Sequence, residues 1–287
     1  MASPRPSHSP PRRRRKTSRL ALAGGGALLV EGLLAGLRRR PPGGAELWAR
    51  RNHRGDPVSL LAGPALAGAV TTTAYAAAGP GLRIAALVAT AASGAVGVYD
   101  DLAGSASGQA ADKGFAGHLA ALRRGRVSAG MVKLAVVGLA GLAAGRRVGG
   151  DPLDRIVAGG VVAGTANLLN LLDLRPGRAI KVAGLVGLPL LAGPHGALLA
   201  GPLGAAGAVL RRDLGEEVML GDGGANCLGA AVGLRLALAG GASHRRAVLA
   251  VLVALTAASE KVSFTEVIAA TPGLRELDAL GRRPAAG

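Results

Sequence analysis

Residues 156–173 read IVAGGVVAGTANLLNLLD: an uncharged apolar run that passes into a polar stripe and ends on a carboxylate. Asn167, Asn170 and Asp173 recur every three residues, so a helix sets them along one face. Whether that helix sits in a water-soluble core or in lipid decides the fold. The rest of the chain answers for lipid. Of 287 residues, 49% are hydrophobic and only 2% aromatic. Mean hydropathy is positive, +0.37, although the pI is near 11.6. The charge balance is 34 Lys and Arg against 17 Asp and Glu, a net +17. A basic protein of this size would ordinarily suggest nucleic acid. Here the basic residues cluster between long uncharged runs, as in loops that flank membrane helices, and there are few aromatic rings on which bases could stack. A nucleic-acid partner is therefore not expected. The single cysteine, Cys227, excludes an intrachain disulfide and a cysteine-built zinc site.

A span takes roughly 20 mostly apolar residues. Apolar stretches at about 20–37, 58–78, 84–99, 127–145, 156–172, 179–193, 195–210, 223–240 and 245–259 predict an all-α polytopic bundle of about nine transmembrane helices. Residues 182–210 are uncharged throughout. As one helix they would overshoot the bilayer at about 1.5 Å per residue, so two short helices about Gly193-Pro194 are expected. The helices are rich in Gly and Ala, which lets backbones approach closely in lipid. With loops 38–57, 100–126, 173–178, 211–222 and 260–287 placed in the cytoplasm, the outer loops keep only Arg83, Arg146, Arg147, Arg155, Arg245 and Arg246. That asymmetry satisfies the positive-inside rule. The basic tail, with its run from Arg12 to Lys16, opposes it. Residues 1–19 read as a disordered tail, 20–259 as the membrane domain and 260–287 as a cytoplasmic C-terminal segment. Glu31 interrupts the first apolar run and no small-residue cleavage site follows, so a retained helix is expected rather than a signal peptide.

Charged side chains within spans are costly, about 2.5–3.5 kcal/mol at mid-helix, and each is a site hypothesis. Three clusters stand at helix ends, and the topology puts all three on the cytoplasmic face: Asp100-Asp101, the Asn167/Asn170/Asp173 stripe, and Gly221-Asp222-Gly223-Gly224. Adjacent carboxylates suit a Mg²⁺ site or proton transfer, and the alternative is a solvated helix end. The asparagine stripe suits a hard cation beside a phosphorylated ligand, or interhelical hydrogen bonds. The glycines opening the last motif expose backbone N–H groups to a phosphate, although Gly-Asp-Gly is also an ordinary turn. Lys133, inside its apolar run, could face a phosphate or snorkel. His118, on a cytoplasmic loop, reads as a surface histidine or a phosphate contact. Arg235, deep in 223–240, has no evident partner in the sequence.

In this order and with this sidedness, the acidic pair, N-x-x-N-x-x-D and G-D-x-G resemble the polyprenyl-phosphate N-acetylhexosamine-1-phosphate transferases. The resemblance runs from about Asn52 to Asn226, with residues 51–57 similar to the family's first cytoplasmic loop. It implies a Mg²⁺-dependent enzyme (Mn²⁺ as a substitute) of the cytoplasmic membrane. Such an enzyme moves a sugar-1-phosphate from a UDP-amino sugar to a polyprenyl phosphate, releases UMP, serves cell-envelope glycan synthesis, and could be a homodimer. By the same resemblance Asp100, Asp101 and Asp173 are catalytic, and Asp173 with Asp222 binds the metal. Asn170, Lys133 and Asp222 contact substrate by the same match, and Asn167, His118 and Gly221 are expected to do so from their places in the stripe, the loop and the glycine motif.

Two departures stand out. Leu102-Ala103-Gly104 follows the acidic pair where a third charge is usual, and Pro176 replaces a second aspartate after Asp173. Arg175 and Arg178 enter the same loop and are expected to bind phosphate as guanidinium forks, or to serve topology alone. The alternative functions are a non-catalytic relative acting as a scaffold or regulator of envelope assembly, and an anion transporter using Lys133 and Arg235.

Overall fold

The structure is a computed structural model that describes residues 12–103 and 129–284. The chain is mostly helical. Eleven α-helices occupy the described residues: α1 (Arg12–Arg39), α2 (Ala62–Ala77), α3 (Arg83–Ala103), α4 (Ala129–Gly145), α5 (Pro152–Leu172), α6 (Arg178–Leu190), α7 (Ala197–Leu214), α8 (Gly221–Ala237), α9 (Ala242–Ser259), α10 (Phe264–Ala270) and α11 (Leu274–Ala279). Each of the nine expected apolar stretches overlaps one of α1 to α9, although most of the helices start or end outside the expected bounds. The stretch 182–210 does divide, and α6 and α7 are joined by a turn in which His195 takes a left-handed φ of 58°. The expected tail lies largely outside the described residues, and α1 begins at Arg12.

One departure from the all-helical expectation lies at 58–61. Pro57–Ser59 forms a strand, β2, pairing antiparallel with β1, Ala49–Arg51. Pro57 has no N–H for a helix, and Asn52 closes the hairpin by accepting the Arg54 and Asp56 N–H groups through its side chain. The helix starts after this hairpin, at Ala62.

α8 is the axis of the bundle. Its residues are small and apolar almost without interruption, and nearly all are buried, as befits a helix surrounded on every side. It packs against α2, α3, α5, α6 and α7, while α4 closes the wall between α3 and α5, and α1 lies on α7. Glycine makes the key contact. A Cβ on Gly97 of α3 would stand 2.7 Å from the Gly223 Cα, closer than real side chains approach, so α3 meets the start of α8 backbone to backbone.

Among the described residues two helical stretches are long and apolar enough to cross a membrane: Ser18–Arg39 and Pro152–Leu172. A third arises if α9 and α10, bent by 96° at their junction, count as one broken span. The other helices are shorter or carry charges near their ends, so length and hydropathy alone do not make nine spans. Large apolar side chains nevertheless face outward around the bundle, among them Leu28, Leu139, Ile156, Leu185, Leu188 and Val253.

Candidate functional site

Four helices bring their ends together at one pole. α3 delivers Asp100 and Asp101 in its last turn, α4 delivers Lys133 in its second turn, α5 ends at Asn170 and Asp173, and α8 begins with Gly221 and Asp222. The Lys133 ammonium is the hub. Its Nζ lies 2.6 Å from the Asp100 carboxylate and also pairs with Asp222. The Asn170 amide, with its nitrogen toward the carboxylate and its oxygen toward the ammonium, donates to Asp222 Oδ1 at 2.8 Å and accepts from Lys133 at 3.3 Å. Lys133 does not snorkel. Its side chain is only 16% exposed, between two carboxylates that offset the cost of burying it.

Asp101 does something the sequence did not suggest. Its two oxygens accept the backbone N–H groups of Asp222 and Gly223, at 2.9 and 3.0 Å. The Gly221 N–H goes to Asp173. The helix N-terminus that the glycine motif offers to a phosphate is therefore already occupied by side-chain carboxylates, which favour that positive end of the helix dipole. Gly221 is required there. It sits at φ 60°, and a Cβ would meet Asp101 Oδ2 at 2.7 Å. Arg50, from β1, donates to the Asp101 carbonyl at 2.7 Å and ties the hairpin to the same pole.

Asp173 links this cluster to a cleft lined by Asn52, His53, Asp173, Arg175, Asp213, Glu216 and Met219. Desolvation, then the negative charges of Asp213, Asp222 and Asp101, hold the Asp173 carboxyl well above the usual carboxylate range, against the Gly221 hydrogen bond. Asn52, His53, Asp213 and Glu216 were not read as site residues. Glu216 is buried in a left-handed backbone conformation, φ 58°, accepts a hydrogen bond from Asn52 Nδ2 and pairs with Arg54 Nε at 3.2 Å. A non-glycine residue held there stores strain of order 1–3 kcal/mol, which surrounding contacts must impose. The sequence signal was the polar run Asn52-His53-Arg54, which has too many charges for a plain turn. Asp213 left no such signal. It follows two arginines in a helix end and becomes meaningful only because its carboxylate accepts the Gly177 N–H at 2.8 Å.

The two loop arginines part company. Arg175 lines the cleft. Arg178 is buried and does not offer its fork to a ligand as expected. Nε and Nη2 grip both oxygens of Asp278 at 2.8 and 2.9 Å, and Nη1 donates to Thr265. The C-terminal segment has folded back over this loop, with Lys181 donating to the Leu277 and Asp278 carbonyls and Arg282 to that of Pro176. Asn167 is half-buried one turn deeper than Asn170. His118 lies outside the described residues. Arg235, at the far end of α8, does find a contact: the Leu190 carbonyl, at 2.9 Å.

Among the described residues no three His, Cys, Asp or Glu side chains group so as to enclose an ion. Mg²⁺ asks less, since one or two carboxylates with phosphate and water complete its octahedron. Asp173 and Asp222 supply two carboxylates close enough for each charge to act on the other, in a pole that holds more acids than bases. Asp222 also pairs with Lys133, so an ion there would share that carboxylate with the ammonium.

An apolar pocket of about 360 Å³ lies between α5, α6, α8 and α9, lined by Leu168, Leu169, Val182, Val186, Val232, Leu236, Val248, Val251 and Leu255. No protein-family model matches the chain, and no curated protein matches it in sequence.

Proposed function

We propose that the chain is an integral-membrane transferase of the cytoplasmic membrane, with about nine membrane-embedded helices and its acidic pole in the cytoplasm. It moves a sugar-1-phosphate from a UDP-amino sugar to a polyprenyl phosphate. A lipid phosphate oxygen forms a new bond to the phosphorus that bears the sugar, the pyrophosphate P–O bond breaks, and UMP leaves with the electron pair. Phosphoryl transfer of this kind needs positioning and charge neutralisation more than covalent catalysis. Asp100 orients the attacking phosphate or takes its proton, Lys133 neutralises phosphate charge, and Asn170 fixes the Lys133–Asp222 geometry. Arg175, with His53 and Asn52, faces the nucleotide sugar in the cleft. Asp173 and Asp222 would hold Mg²⁺, or Mn²⁺, which supplies charge neutralisation on the phosphates. The apolar pocket between α5, α6, α8 and α9 has the lining that a prenyl chain needs.

The observation that carries this reading is the meeting of Asp100, Lys133, Asn170, Asp222 and Asp173 at one pole, from four helices far apart in sequence. The test is UMP release by purified protein given UDP-N-acetylhexosamines, polyprenyl phosphate and Mg²⁺. No release across a panel of sugars and lipid lengths sinks it. The second reading, a non-catalytic scaffold or regulator, is favoured by the N–H groups of Asp222 and Gly223 being held by Asp101.

A further inference from the structure

At the pole opposite the acidic cluster, two arginines converge on one turn. Arg235 is 2% exposed, in the last turn of α8. It stands thirteen positions after Asp222, about 20 Å along the helix. Its Nη2 donates to the Leu190 carbonyl, while Nε and Nη1 are buried without a hydrogen-bond partner. Arg19 Nη2 donates to the Gly193 carbonyl at 3.2 Å, three residues further along the same turn, and its charge acts on Arg235.

Among the described residues neither guanidinium is ion-paired with a carboxylate. The carbonyl end of α6 offers only about half a negative charge, against two positive ones. A buried guanidinium with two idle donors is costly unless something negative pairs with it. Planar forks of this type favour phosphate oxygens. Arg19 is the second residue of the apolar stretch Ser18–Arg39, so the site lies at the end of a candidate span, where the headgroups of a bilayer crossed by that span would meet it.

We propose that Arg19 and Arg235 form a phosphate-binding site at this pole, separate from the acidic cleft and independent of the transferase reading. The ligand is a phosphate group carried by an anionic lipid headgroup or present as free phosphate.

The test follows thermal unfolding of the purified full chain in neutral detergent. One arm adds short-chain phosphatidylglycerol, one adds phosphatidylcholine of the same chain length, and one adds inorganic phosphate. Saturable stabilisation by phosphatidylglycerol alone identifies the headgroup as the source; stabilisation by inorganic phosphate identifies the free ion. Either effect should weaken at least tenfold in Arg235→Met and in Arg19→Gln. Arg19 is only half-buried, so its variant tests the site even where Arg235→Met fails to fold. No saturable stabilisation by either ligand, or equal affinity in wild type and Arg19→Gln, overturns the proposal.

Discussion

Neutralising Asp101 separates a structural duty from a chemical one. Its carboxylate accepts the Asp222 and Gly223 N–H groups at 2.9 and 3.0 Å, two of the four donors that a helix start leaves without intrahelical partners. Hydrogen bonds to a charged group contribute about 1.5–3 kcal/mol each. Asp101→Asn keeps one acceptor oxygen, loses the charge, and turns an amide NH₂ toward the second N–H. One bond becomes neutral and the other donor is left facing a donor. The expected loss is about 2 kcal/mol, the upper part of the range for losing an N-cap. At about 2–4 °C per kcal/mol for a chain of this class, the melting temperature in detergent should fall by about 4–8 °C. The loss is local, so amide exchange at Asp222 and Gly223 should accelerate more than exchange in the middle of α8. The Arg50 bond to the Asp101 carbonyl survives the change and keeps the hairpin docked. If Asp101→Asn melts within about 1 °C of wild type and the two amides exchange as before, the capping argument is wrong and the carboxylate serves chemistry instead.

Lys133→Met leaves Asp100 and Asp222 together without their shared cation; breaking a buried pair of this kind costs about 3–5 kcal/mol. Adding Asp222→Asn should recover much of the lost melting temperature, and a double variant no better than the single one would show that the lysine stabilises by packing. Gly97→Leu should force α3 away from the start of α8, at about 1–3 kcal/mol for an overpacked contact, seen as a lower melting temperature together with loss of any ligand binding at the acidic pole. Burial alone would raise the Asp278 carboxyl, but the Arg178 and Arg282 guanidinium groups outweigh it and hold it below its ordinary value near 3.8. A depressed carboxylate stabilises above its unfolded value and loses that contribution as pH falls through the folded one. The C-terminal segment should therefore stay protease-resistant down to about pH 4 and loosen below it, whereas Asp278→Asn should be cleaved at neutral pH.

Much of the architecture was legible in composition and periodicity. Long Gly- and Ala-rich apolar runs separated by charged loops demand helices, because backbone polar groups in such runs find partners only within the helix. The division of 182–210 into α6 and α7 followed from length alone. The sidedness of the loops also foretold that Asp100, Asn170, Asp173 and Asp222 share a pole, since each stands at a helix end that the alternation of helices sends the same way.

Direction and partnership were not legible. Asp100 and Asp101 are neighbours in sequence, yet the α3 helix turns one to Lys133 and the other to the N-terminus of α8. Arg175 and Arg178 are three residues apart, yet one lines the cleft and the other is claimed by Asp278, a hundred residues away. The sequence determines which residues stand at a helix end, because local propensity and hydropathy act over a few turns. Only the tertiary structure decides which acid caps a backbone, which pairs with a cation and which is left facing the cleft, because those choices depend on the close approach of helices that glycines such as Gly97 and Gly221 permit.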